Sequence, residues 1–459
     1  MDSSHITAVL QKTLVPLIVR YLPIFVTLIL AWITVNELYF KKQVDNKKGE
    51  QPSEAPPQKA ERKPVVPSVI KPPKKKQSTE KWNRDGKQNF SHEWLLTSLK
   101  GHSGAIMDME FSANGKFLAT CADDRAIFVW STKHWKDKDH KYIRYNIDYD
   151  HASLIRWSPD SKAFIYNRYS DNTIEVCKLI RKPDGWIASL SKALTYPKAH
   201  NNEIIGMGID PNGKYIMTCS AGTDMIIWDL KGAEITKVET YLMNNYAAKV
   251  SPCGTFVAVS GFAPDVKVWE VQFNKTGEFK QVCRAFELTG HTSGIFDFAF
   301  NADSSLIATV SKDRTWKLFN IKIQYTKGED PHLLKSGKFN TSGKDAFISL
   351  SPDGQVICLA CESTLTIINA LTGEVDKVIQ NVYPGPIRRL AFDAAGEYIL
   401  TAGDKHVRIF HNVTGYKAAI LASKMKLQSS GNSSATKERL EKTIEEAQAF
   451  LQSIESKTE

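Results

Sequence analysis

Cysteine is scarce in this sequence: seven residues in 459, spread from Cys121 to Cys361. An odd, thin set of that kind excludes a small disulfide-held secreted scaffold. The one close pair, Cys358 and Cys361, has no second pair to complete a metal ribbon, and both thiols are expected to pack in a strand. No P-loop, HExxH, GxSxG or dinucleotide fingerprint occurs. We therefore expect a non-enzyme with no catalytic residue, no metal, no cofactor and no small-molecule substrate. Excess charge is also missing from most of the chain. The net charge is +10, but residues 41–88 alone carry +8 and residues 1–40 carry none. The remaining +2 over residues 89–459 gives no reason to expect nucleic acid on the folded part.

Long apolar runs are confined to one place. Leu14–Phe40 is the most apolar stretch, and Tyr21–Val35 runs fifteen residues without a charge. With its flanks it reaches the roughly 20 residues a bilayer requires. Arg20 would snorkel to one interface, and Asn36 and Glu37 to the other. No small-x-small cleavage site with a plausible mature start follows. Residues 1–40 are therefore expected to hold a single-pass membrane anchor, with its helix at about 14–40. Lys41, Lys42, Lys47 and Lys48 follow at once, so the positive-inside rule places everything after Phe40 in the cytosol.

Residues 41–88 hold seven of the 19 prolines and read as a disordered Pro/Lys-rich linker. The cluster Lys71, Lys74, Lys75 and Lys76 has two readings: a solvated spacer, or a contact with anionic lipid or RNA.

After Phe90 the texture changes to short β-rich runs punctuated by turns. Units close on a bulky residue at Trp130, Cys177, Trp228, Trp269, Phe319, Ile368 and Phe410, at spacings of 41–51. Each carries a hairpin turn of one type: FSANGK, WSPDSK, IDPNGK, VSPCGT, FNADSS, LSPDGQ and FDAAGE. Gly-His stands at 101–102 and 290–291, and an Asp precedes the closing residue by six at Asp124, Asp171, Asp313 and Asp404. Gly222 and Ala263 stand where two other units would have that Asp.

These units resemble the WD-repeat β-propeller family. The resemblance implies an all-β fold of seven blades over residues 89–412. It assigns turn and core roles to His102, Asp124, Trp130, Asp171, Trp228, Trp269, His291, Asp313 and Asp404, with Asp bonding the His of Gly-His. Residues Glu93–Lys100 should close the ring as the outer strand of the last blade, since an open ring leaves a sheet edge. Residues 413–459 form a C-terminal helical extension, with Leu440, Ile444, Ala447, Leu451 and Ile454 on one stripe.

Function then lies in what docks on the rigid loops. The candidate partner surface is Asp123, Arg125, Lys312 and Arg314 in the turns, with Arg388 and Arg389 near the channel mouth. A closer resemblance is to one membrane-anchored member group of the family. It is carried by SPCGTFVAVSGFAPDVKVWEVQF (251–273), RAFELTGHTSGI (284–295), DRTWKLFN (313–320) and RIFHN (408–412). It implies the endoplasmic reticulum membrane, with propeller and C-terminus cytosolic. It further implies a scaffold in the unfolded-protein response and translational control, partnered by the stress kinase that phosphorylates translation initiation factor 2. The alternative is an adaptor for ribosome or mRNA that binds mainly through the Lys-rich linker. Five glycosylation sequons, at Asn89, Asn274, Asn340, Asn412 and Asn432, matter only if the topology is reversed.

Overall fold

The computed structural model describes residues 90–456, apart from 138, 184–185, 341–344 and 429–432. The expected anchor (1–40) and linker (41–88) lie outside the described residues. Among those described, no helix is long and apolar enough to cross a membrane.

The described strands form seven four-stranded antiparallel sheets. In six of them the four strands are consecutive in sequence, because each hairpin turn is short enough to return the chain directly. The inner strands are Ile106–Phe111, Ile155–Trp157, Ile204–Ile209, Asn245–Val250, Ile295–Phe300, Ala346–Leu350 and Arg389–Phe392. We number the blades 1 to 7 by this order. Blade 7 is completed from the other end of the chain. Its outer strand is Leu95–Lys100, which pairs antiparallel with His406–His411 from Leu95↔Phe410 to Lys100↔His406. The expected closure is therefore the observed one.

The middle strands are the most apolar segments, and they are buried on both faces. Phe117–Ala122 and Ala126–Ser131 are buried at every position. Neighbouring blades share their cores. Leu99, Ile106, Leu118, Phe128, Trp130, Leu400 and Ile409 form one cluster across blades 7 and 1.

The hairpin turns show why Ser replaces Gly in two blades. Gly115, Gly213, Gly254, Gly354 and Gly396 sit at φ between 67° and 75°. Ser161 and Ser304 take the same place at φ 56° and 57°. A serine there is disfavoured by its Cβ. Each hydroxyl compensates by accepting a backbone N–H from the preceding blade: Asn114 N at 3.2 Å for Ser161, and Cys253 N at 3.0 Å for Ser304.

Helices α1 (Val413–Gln428) and α2 (Ser434–Glu455) follow blade 7 and pack on each other. Ser433 caps α2 by accepting the Thr436 N–H at 3.2 Å. The apolar stripe is used on the ring: Ile454 joins Trp94, Phe410 and Val413 in one core, with Phe450 and Leu451 against it. Phe450 also stacks on Tyr416 at 4.1 Å. The hairpin thus covers the closure seam.

Candidate functional site

Three constructions position the loops. The first is a buried relay in each of the best-formed blades. In blade 1, His102 Nδ1 lies 3.0 Å from Asp124 Oδ2, and His102 Nε2 lies 2.8 Å from Thr120 Oγ1. Trp130 Nε1–H donates to the same hydroxyl at 2.9 Å. Burial, opposed by Asp124, keeps the His102 pKa below 6.5, so the ring is neutral at pH 7. Its Nδ1–H then donates to Asp124, its Nε2 accepts the Thr120 O–H, and the Thr oxygen accepts the indole N–H. Every side-chain polar group of this relay has a partner, as a buried network requires. Asp124 also accepts the Ser103 and Ala126 N–H groups, which pins the turn.

Blade 5 repeats this with His291, Asp313 and Thr309, at 2.9 Å and 2.8 Å. Burial works against Asp313, but Thr315, the Thr292 N–H and His291 hold its carboxyl down at about 2. Phe319 closes this blade in place of Trp, so the relay ends at the threonine.

The expected loss of the acid in blade 3 is corrected. Gly222 does sit at the turn tip, but Asp224, two residues on, reaches His200 Nδ1, while Nε2 meets Thr218 at 2.7 Å. Trp228 Nε1–H completes the set at 2.8 Å. His-to-Thr spacing is 18 in all three blades, and that interval was the usable signal. It also marks Tyr383, whose hydroxyl meets Thr401 Oγ1 at 3.0 Å in blade 7 where a His would stand.

Asp171 and Asp404 meet no Gly-His partner. Asp171 is exposed and pairs with Arg168 at 3.0 Å, while the histidine of the loop entering blade 2, His151, lies 3.7 Å from Asp150 instead. Asp404 instead takes its own neighbour, His406, at 3.1 Å. Trp269 is buried in the core of blades 3 and 4 with Tyr215, Met217 and Val257.

These histidines make a pH prediction. Their folded pKa values lie below 6.5, so the unfolded state binds more protons as pH falls below about 6.5. The stability they contribute is complete above that value and is lost as pH falls toward their folded pKa values. Glu110 has the opposite sign, since burial raises its carboxyl to about 7, Arg156 opposing. The contribution of these three histidines to the melting temperature should therefore fall between pH 7 and pH 5.5. Replacing His102, His200 and His291 together by Gln should flatten that slope; an unchanged slope would refute the assignment.

The second construction is the channel. Asp108, Glu110, Arg156, Lys249, Asp297 and Arg389 line a cavity of 320 Å³ along the inner strands. Asp108 is the hub. It accepts from Arg156 Nη1 at 2.5 Å, from Arg389 Nε at 3.0 Å and from the Ile155 N–H at 3.1 Å. One carboxylate thus joins blades 1, 2 and 7. Lys249 and Asp297 pair at 2.7 Å across blades 4 and 5. Arg389 is therefore committed to the channel wall, while Arg388 reaches Met107 Sδ at 2.9 Å.

The third construction is the upper rim, the side bearing the turns between second and third strands. Asp123, Arg125, Lys312 and Arg314 are exposed there. Arg125 and Arg314 hold left-handed conformations at φ 61° and 67°. Between blades 3 and 6 the rim opens into a cavity of 570 Å³ lined by Asn202, Asn244, Tyr246, Phe296, Lys312 and Phe347 among others. Beside it stand three large apolar residues in open solvent: Tyr241 at 78%, Met243 at 69% and Phe262 at 52% exposure. Tyr241 and Met243 are both left-handed, at φ 53° and 67°, which turns the loop outward. Lys312 lies among the rings, 4.5 Å from the Tyr246 centroid and 5.5 Å from that of Phe296, and donates to Tyr246 Oη at 2.9 Å. Of this patch only Lys312 was expected. The missed signal was Tyr-Leu-Met between two strands, where a connecting loop is normally polar.

Seven closed four-stranded blades, each braced by turns of one type and three by a His–Asp–Thr relay, define a WD-repeat propeller. The WD domain, G-beta repeat pattern matches residues 93–131, 191–229, 282–320 and 377–411. The chain is 44% identical over 368 residues to transducin beta-like protein 2 of Homo sapiens, covering 80% of this chain and 82% of that protein. It is 40% identical over 406 residues to transducin beta-like protein 2 of Mus musculus, covering 86% and 92%. Protein hir1 of Schizosaccharomyces pombe (strain 972 / ATCC 24843) is more distant, 26% identical over 211 residues, 41% of this chain and 21% of that one. The chain belongs to the family of transducin beta-like protein 2.

Proposed function

We propose that this protein is a non-enzymatic, membrane-tethered scaffold that docks protein partners on the upper rim of its propeller. One observation carries the reading. Tyr241, Met243 and Phe262 are held in solvent beside a 570 Å³ cavity, and a clustered apolar surface of that kind marks an interaction site. The Tyr21–Val35 run and the lysines after Phe40 support a single-pass anchor with the propeller in the cytosol. Tethering raises the effective concentration of a partner at that membrane. By resemblance the membrane is the endoplasmic reticulum, and the setting is the stress response with its initiation-factor kinase.

Protease protection on intact microsomes, with a tag after Glu459, tests the topology. We expect loss of the tag without detergent and no glycan on Asn274 or Asn340, both exposed. Asn412 is no reporter: it is buried, with Nδ2 donating to Gly396 O at 2.7 Å. A protected tag with glycans at 274 and 340 would place the propeller in the lumen and end the cytosolic reading. The linker charge of +8 favours a second reading, an RNA- or ribosome-associated adaptor. That contact would weaken steeply with salt and on neutralising Lys71, Lys74, Lys75 and Lys76.

A further inference from the structure

We propose that the rim patch of blades 3 to 5 takes an acidic, apolar peptide segment of a partner, its carboxylate on Lys312 and its apolar side chain in the adjoining cavity. The proposal rests on the docking reading above and specifies its ligand. The apolar half follows from the lining. Tyr246, Phe296 and Phe347 wall the cavity, and Phe262 and Met243 extend it outward with much of their surface in water. Covering them is favourable in proportion to the area removed from solvent.

The acidic half follows from two lysines. Lys312 is exposed and makes no ion pair with a carboxylate among the described residues; its ammonium is held by Tyr246 Oη and the rings of Tyr246, Phe262 and Phe296. Lys267 is likewise without such an ion pair, and donates to the carbonyls of Thr240 and Tyr241 at 3.2 Å and 3.0 Å. Burial first, and then the nearby Arg284, hold its pKa below the usual lysine value, with Asp265 opposing from a distance at which it forms no ion pair. A partner that covers this patch buries an ammonium, and a buried charge without a counter-charge is strongly disfavoured. The partner must therefore bring the carboxylate. Asp345 also lines the cavity, but it forms no ion pair with Lys312 among the described residues, so Lys312 remains open to an incoming acid. Two lysines among several exposed apolar side chains suit one acidic side chain beside an aromatic or branched one. They do not suit a run of phosphates, which needs a cation at each step.

A random linear-peptide phage library selected on the full-length chain tests this. Enrichment of Asp or Glu next to Phe, Leu, Ile or Trp is expected. The selected peptide should bind about tenfold more weakly to Lys312→Ala and to Phe262→Ala, the order of a hot-spot truncation. Lys312→Glu should abolish binding, and exchanging the peptide's acid for Lys should restore it; a merely unfolded variant could not be rescued in this way. A consensus without acidic residues overturns the proposal, as does binding that survives Phe262→Ala and Lys312→Ala, or displacement of the peptide by single-stranded RNA. Acid-free binding at the rim would leave the docking reading standing. No enrichment at all would remove both.

Discussion

Deleting residues 90–100 will leave a chain that no longer unfolds as one cooperative ring. The deletion removes the entire outer strand of blade 7, Leu95–Lys100, together with Trp94 and Leu99, which are 5% and 1% exposed. His406–His411 then loses its partner and presents unpaired N–H and C=O groups. The apolar surface beneath it, including Phe410 and Ile409, comes into contact with water. We expect no sharp thermal transition and concentration-dependent aggregation by light scattering. A milder variant keeps the test quantitative. Leu99→Ala removes a fully buried side chain and should cost about 2–5 kcal/mol in urea unfolding. A deletion chain that melts cooperatively near the full-length temperature would show that the ring is not closed by this strand.

The second large effect is expected at Asp108. Burial opposes its ionisation, but Arg156 and Arg389, with the Ile155 N–H, hold its carboxyl below the ordinary value. Asp108→Ala leaves two guanidinium groups in the channel wall without their shared counter-charge. Breaking a fully buried pair costs about 3–5 kcal/mol; the lower end is expected here, since Arg156 keeps Glu110 at 3.7 Å and Arg389 is 30% exposed. Asp108→Asn should recover part of the loss, since it keeps an acceptor for one arginine. The lowered pKa means that Asp108 stabilises the fold above about pH 3.9 and loses that contribution as pH falls through its lower folded value. Wild type and variant should therefore differ most at neutral pH and converge in acid. A neutral-pH difference under 1 kcal/mol would refute the hub.

The ring was legible in sequence because repetition averages out local ambiguity. One Gly-His or one hairpin turn says little; seven in register fix blade number and closure. The relays were legible only where the acid sits at the turn tip, as in Asp124 and Asp313. Asp224 escaped because two residues of displacement along a strand start still bring its carboxylate to the same ring nitrogen. Tyr383 escaped because a different side chain supplies the same reach. The rim patch was the least legible. Tyr241, Met243 and Phe262 look like ordinary apolar residues, and only their left-handed or turn backbone puts them outside. The charged channel was hidden for a related reason: Asp108 lies in a strand whose alternation reads as buried, and its partners come from two other blades.

The closure seam also sets the order of events on the ribosome. Leu95–Lys100 leaves the exit tunnel before any blade exists, yet its partner His406–His411 is among the last segments made. Six blades can stack as they emerge, each needing only its own consecutive strands. The seventh must wait, with an apolar strand unpaired throughout synthesis. Contacts this remote in sequence form slowly, and an idle strand edge invites pairing with other nascent chains. Helices α1 and α2 are translated after the seam and pack over it. They are placed to latch a joint that has only just been made.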